Sequence, residues 1–125
     1  MAMKIKPLLP SLREKKRYLV FEIISEHKID NIDSIESTIL NQCNKYLGEI
    51  GMAKAGLLFL KDKFNKESQK GIIRINNKML DNLKTSLCFV KNIGKEDVII
   101  RSVGVSGILK KAQDKFITIY IESNK

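Results

Sequence analysis

Histidine and cysteine are scarce in this chain: one histidine and two cysteines in 125 residues. Cys43 and Cys88 lie far apart and in no CxxC pair, which excludes a disulfide framework and a cysteine-based zinc site. Both fall inside apolar helical patterns, so buried free thiols are expected, in keeping with a reducing compartment. The lone His27 sits in a polar connection with no Ser or Cys neighbour, so it has no nucleophile to activate. The acids are scattered. Asp30 and Asp33 read as a turn and a helix start, and no clustered carboxylates are found for a metal-dependent nuclease. No apolar run is long enough to span a bilayer. Leu8 and Leu9 are interrupted by Pro7 and Pro10, so no signal-peptide core is expected and a cytoplasmic location is. Internal repeats, low-complexity stretches, GxGxxG and GxxxxGK[ST] are all missing, which leaves nucleotide binding through a glycine-rich loop unsupported.

What is present is apolar material and positive charge. Hydrophobic residues make up 43% of the chain, enough for one core in one domain. Lys and Arg number 23 against 14 acids, a net charge of +9. That surplus favours a polyanionic partner: RNA, DNA or an anionic membrane. It is concentrated in two places. Residues 1–17 carry Lys4, Lys6, Arg13, Lys15, Lys16 and Arg17 against Glu14; residues 101–115 carry Arg101, Lys110, Lys111 and Lys115 against Asp114.

Periodicity divides the rest. Residues 1–16 read as a basic arm, and residues 17–125 as a single domain. Residues 17–25 alternate as a strand. Residues 32–47 repeat at steps of three and four, through Ile35, Ile39 and Cys43, as an amphipathic helix. Asp33 and Glu36 resemble a capping box, and Gly48 and Gly51 are expected to end the helix. Residues 54–62 and 71–76 read as strands joined by a polar loop over 63–68. A second helix is expected over 78–93, stopped by Gly94, and a fourth strand over 98–105. Ser106 is expected to cap a short basic helix over 107–114. Residues 116–121 read as a last strand or an extended tail.

This order predicts an α+β, ferredoxin-like βαββαβ sandwich of the kind shared with RNA-recognition motifs: a four-stranded antiparallel sheet, two helices on one face and an extra C-terminal helix. The third strand opens Lys70-Gly71, as RNA-recognition motifs do, but its aromatic positions are aliphatic. Phosphate and shape recognition by Lys and Arg should therefore outweigh base stacking on the sheet. Val20, Ile24, Leu58, Leu60 and Ile72 would face away from the helices and need a cover: the terminal helix, the tail or a partner.

Three stretches are more specific. Residues 10–22, from Pro10-Ser11-Leu12-Arg13-Glu14-Lys15 through Arg17-Tyr18 to Phe21-Glu22, resemble the opening of the archaeal ribonuclease P protein component 2 family. Gly71-Ile72-Ile73-Arg74 is similar to that family's third strand. Val103-Gly104-Val105-Ser106-Gly107-Ile108-Leu109-Lys110-Lys111-Ala112 resembles its C-terminal motif, with Ile108 where the family has threonine. The resemblance implies a subunit of the particle that removes the 5′ leader from precursor tRNA. Catalysis would belong to the RNA and its Mg2+ ions, with no cofactor or metal held by the protein. The implied partners are the ribonuclease P RNA, protein component 3 (a TIM-barrel-like protein), precursor tRNA as the substrate of the whole particle, and a second copy within a heterotetramer.

The first and last motifs flank the first and fourth strands, which are joined through the middle of such a sheet, so the two should approach one another. The expected RNA-contacting set is Arg13, Lys15, Lys16, Arg17, Arg74, Ser106, Gly107, Lys110 and Lys111. Arginine grips phosphate with paired hydrogen bonds, which favours Arg13 and Arg17. A competing arrangement pairs Arg13 and Arg17 with local acids such as Glu14 and Glu22. A competing class is a small-molecule-binding or regulatory ferredoxin-like domain, which would carry a pocket in place of basic clusters.

Overall fold

A computed structural model of the chain describes residues 15–117. Residues 1–14, with Arg13 among them, and residues 118–125, which include most of the expected last strand or tail, lie outside the described residues. Strand β1 (Lys16–Ser25) forms because Leu19, Phe21 and Ile23 alternate towards one face and Val20 towards the other. Helix α1 (Ile32–Ala55) is followed by β2 (Leu58–Phe59), β3 (Lys70–Asn76), α2 (Leu80–Cys88), β4 (Asn92–Ile93), β5 (Glu96–Ser106) and α3 (Leu109–Ala112). A single π-helical turn, Gln113–Ile117, continues α3. The sheet order is β2-β3-β1-β5-β4, and each neighbouring pair is antiparallel. That is the split βαβ plan with one strand more than expected.

The extra strand arises where a longer second helix was expected. Val90 and Ile93 extend the apolar spacing of α2 beyond Leu87, but the chain leaves the helix at Phe89. It then folds back through Gly94, at φ +62, so that Asn92 and Ile93 pair with Asp97 and Glu96. Gly94 thus serves a hairpin and not a helix end.

Helix α1 departs from expectation in the opposite sense. Gly48 takes φ 74 and ψ 176, which kinks the helix without ending it, and the helix runs on to Ala55 with Gly56 as its cap. The residues expected to open a strand at 54 are therefore helical. Beyond them Leu58–Phe59 pairs with β3 as a short strand, Asn65 bridges Lys70 at the start of β3, and a 3-10 turn occupies Lys61–Lys63. The cap at the other end is Asn31, whose Oδ1 accepts from Ser34 N at 3.2 Å. Asp33 and Glu36 instead pair with Lys61 Nζ, at 2.6 and 3.6 Å, so the expected capping box is not formed.

The main core lies between the sheet and the two longer helices. It joins Leu19, Phe21 and Ile23 of β1 and Ile73 and Ile75 of β3 to Ile35, Ile39 and Cys43 of α1 and Leu83 and Leu87 of α2. Cys43 is fully buried there, whereas Cys88 is exposed, because it follows Leu87 onto the outer side of α2. Burial pushes the Cys43 thiol up from 9.0 to about 11. The Ser86 hydroxyl pulls the other way, but it makes no hydrogen bond of sound geometry, so desolvation decides the direction.

The second face of the sheet carries a smaller cluster of Val20, Ile72, Ala112 and Ile117, with Leu109 and Phe116 packed against it. Helix α3 and the turn after it are thus the cover this face needs. The cover is partial: Ile24, Leu58 and Ile99 remain exposed. No helix among the described residues is long and apolar enough to cross a membrane.

Candidate nucleic-acid interface

Strand β1 is the middle strand of the sheet, so its first residues lie between β3 and β5. Its first residues are the basic ones. Lys16 Nζ donates to Asn76 Oδ1 at the end of β3, and Asn76 Nδ2 donates to the Lys54 carbonyl at 2.7 Å. Asn77 N donates to the Lys15 carbonyl at 2.7 Å, which fixes the backbone one residue earlier. The base of the arm is thereby anchored to both β3 and the end of α1.

On the other side, Tyr18 stands opposite Ser106 of β5 and Arg74 of β3. The pairing brings the first, middle and last motifs into one row across three strands. Arg17 Nη1 donates to the Lys16 carbonyl at 3.1 Å and lies over Gly107, where a Cβ would stand 3.4 Å from that nitrogen. Ser106 Oγ accepts from Ile108 N at 3.1 Å. This hydroxyl closes a tight turn and does not cap a helix as expected, because α3 begins only at Leu109, after Ile108.

Gly104 explains how α3 is set. A Cβ there would lie 2.2 Å from the Phe116 ring, so the ring rests directly on the β5 backbone. Lys70 Nζ donates to the Phe116 carbonyl at 3.1 Å and ties the same turn to β3. A bulge between Val20 and Phe21 in the β1–β5 ladder adds local twist beneath it. Lys110 and Lys111 are thus carried on an element fixed to the sheet. Both are exposed; Lys110 reaches Asp114 at 3.7 Å, a solvent-exposed pair of little energetic weight.

The electrostatics of this end are simple. Among the described residues, no ion pair forms at Lys15, Lys16, Arg17, Arg74 or Lys111. Glu22, one of the acids of the competing arrangement, is taken by Arg101 Nε at 2.9 Å. Arg74 Nε is buried without a hydrogen-bond partner. An unpartnered guanidinium nitrogen on the strand beside Tyr18 is costly unless something anionic completes it. Lys54 joins the group through the Asn76 bridge. Sequence reasoning missed it because α1 was expected to end before it, and only a helix read past Gly48 would have placed it here.

At the opposite end of the sheet, Glu26, His27 and Glu96 bring three ligand-type atoms within 4.8 Å of one another. His27 N and Nδ1 contact Glu96 Oε2 at 3.1 and 3.4 Å. Sequence scanning missed this grouping because Glu96 is brought beside His27 only by the β1–β5 pairing. All three are at the surface or close to it, and the hydrogen bonds between His27 and Glu96 account for the closeness of that pair.

Known proteins resemble this chain. The model of the Rpp14/Pop5 family matches residues 17–117, from the first strand to the turn that packs Phe116. The chain belongs to the Rpp14/Pop5 family. Similar proteins include ribonuclease P protein component 2 of Pyrococcus furiosus, 40% identical over 94% of this chain and 96% of that one. Component 2 of Pyrococcus abyssi is 36% identical over 94% and 98%, and that of Methanococcus maripaludis 34% over 92% and 85%. One chain of the cryo-EM structure of yeast ribonuclease MRP superposes with a TM-score of 0.58, covering 90% of this chain and 92% of that one. At 16% identity that likeness speaks for the fold alone. The family resemblance read from the three motifs is thereby established, and the fold places those motifs side by side.

Proposed function

We infer that the protein is a subunit of ribonuclease P, and that it works by holding RNA and not by chemistry of its own. The observation that carries the RNA-binding surface is the row Arg74–Tyr18–Ser106, with Arg17 lying over Gly107: three separate motifs converge on one unpaired cationic edge. Arg17, Arg74, Lys15, Lys16, Lys110 and Lys111 would meet phosphates, and the Ser106–Gly107 turn would let a phosphate approach the backbone closely. Arg13 would extend the set along the arm. Leader cleavage from precursor tRNA would be carried out by the particle's RNA with Mg2+. The partners would be that RNA, protein component 3 and a second copy of this chain, in the cytoplasm.

Reconstitution tests this. The chain, the ribonuclease P RNA and component 3 are mixed with precursor tRNA, and leader release is followed. Arg17→Ala with Lys111→Ala, each checked for folding by circular dichroism, should lower the rate at limiting protein about tenfold or more. Lys63→Ala with Lys66→Ala, in the β2–β3 loop, should leave it unchanged. Equal losses from both pairs would remove the assignment of this surface. Cleavage by the protein free of RNA would remove the non-catalytic reading.

A further inference from the structure

A cleft of about 310 Å³ opens on the helical side of the molecule, between α1 and the segment that leaves α2 for β4. That volume is at the small end for ligand sites, the size class of a single small molecule or one nucleotide. Asn41, Gln42 and Lys45 line it from successive turns of α1; Phe89, Lys91 and Asn92 line it from the other side. The second wall is held by its backbone. Phe89 N donates to Ser86 O at 3.1 Å, Val90 N to Leu87 O at 3.2 Å, and Val98 N to Lys91 O at 2.9 Å. Asn92 is fixed by its pairing with Asp97.

The chemistry of the lining is specific. Its three carboxamides, Asn41, Gln42 and Asn92, make no side-chain hydrogen bond within the described residues. Its two lysines form no ion pair, and no acid lines the cleft. Phe89 is 51% exposed and stands beside Tyr46, ring centroids 5.8 Å apart. Free carboxamides offer a donor and an acceptor in one plane, as a base edge requires. An exposed ring offers a stacking face, and lysines offer charge for a phosphate.

We propose that this cleft takes one unstacked nucleotide of RNA, its base against Phe89 and the carboxamides, and its phosphates near Lys45 and Lys91. The proposal rests on the RNA-subunit reading but uses a different surface. Between Asp97 beside the cleft and Ser106 in the motif row, β5 extends roughly 30 Å at about 3.3 Å per residue. An RNA meeting both would be gripped at two separated points, one reading backbone and the other a base.

The test is a titration of the full-length, isotope-labelled chain with a mixed-sequence single-stranded RNA octamer, and separately with the four nucleoside monophosphates. Side-chain amide signals of Asn41, Gln42 and Asn92 should shift with the octamer. Phe89→Leu, which keeps apolar bulk without a stacking face, should weaken that shift at least fivefold in affinity, and Phe89→Tyr should restore it. If only residues of the motif row respond, the cleft proposal fails and the RNA-subunit reading stands. If neither region responds, both fail. A monophosphate bound as tightly as the octamer would make this a free-nucleotide site and overturn the RNA assignment. So would signals that ignore RNA and move when component 3 is added, since the cleft and the exposed Tyr46 and Ile50 would then form a protein interface.

Discussion

Where β1 ends, cations sit against acids: Arg101 with Glu22 at 2.9 Å, Lys28 with Glu67 at 3.5 Å, and Lys61 with Asp33 at 2.6 Å. Where β1 begins, Lys16 meets the Asn76 amide and Arg17 a backbone carbonyl, and among the described residues no carboxylate pairs with Lys15, Lys16, Arg17 or Arg74. A count of charges treats these two ends alike. Pairing separates them, because an exposed pair adds little stability yet cancels the local field that a polyanion would feel. Lys61 shows the paired state: its hydrogen bond and attraction to Asp33, with help from Glu36, raise its pKa above 10.5 although it is exposed. The net charge of +9 therefore says that an anion is wanted, and the pairing pattern says where.

The largest expected effect breaks this contrast directly. Arg17→Gln with Lys111→Gln should weaken binding of the ribonuclease P RNA about a hundredfold or more, since hydrogen bonds to charged groups are each worth about 1.5–3 kcal/mol. The log–log salt dependence should become shallower by about 0.7–0.9 for every phosphate that is no longer neutralised. Lys28→Gln with Arg101→Gln removes the same charge from the paired end and should change affinity less than threefold. Equal losses from both pairs, read by filter binding at several salt concentrations, would mean that total charge decides and that pairing does not.

The contrast also marks what the sequence made legible. The first and third strands and the start of α1 follow from apolar period alone, because Leu19, Phe21, Ile23, Ile35 and Ile39 each bury one face. Glycine was the misleading signal. Gly48 bends α1 and Gly94 makes a hairpin, and only backbone angles set by distant packing separate those roles from a helix stop. The site was legible as three motifs, and the approach of the first and last only through the expected order of strands in the sheet. The Tyr18–Ser106 pairing that joins the first and last of them spans most of the chain, and no local spacing encodes it. Ser106 and Gly107 lie beside Tyr18 and Arg17 of β1, but the helix they were expected to start begins two residues further on.

A smaller effect sharpens the link between α3 and the basic edge. Gly104→Val places a side chain where the Phe116 ring lies, so the ring must leave the sheet and uncover Val20 and Ile72. Overpacking of this kind costs about 1–3 kcal/mol. Urea unfolding should show most of that cost disappearing in a Phe116→Ala background, because the colliding group is then gone. A full cost in both backgrounds would place the strain in β5 itself.

The smallest effect lies in the core behind the sheet, away from both charged ends. Cys43 is fully buried between α1 and α2, and burial raises its pKa from 9.0 to about 11. Between those values the unfolded chain has lost the thiol proton while the folded chain keeps it. The folded state then binds more protons, so stability must fall as pH rises through this window, and it is untouched below it. Two pKa units correspond to about 3 kcal/mol in the limit, of which about 2 kcal/mol should be gone by pH 10.5. Lysines and tyrosines titrate nearby, so the measurement is a difference. Urea unfolding at pH 8 and 10.5 compares the chain with its Cys43→Ala variant, both carrying Cys88→Ser to prevent disulfides through the exposed thiol. The advantage of the cysteine over alanine should shrink by about 2 kcal/mol across that range. A difference that stays constant would mean that water reaches Cys43, and that α1 and α2 pack less closely over β1 than Ile35, Ile39 and Leu83 imply.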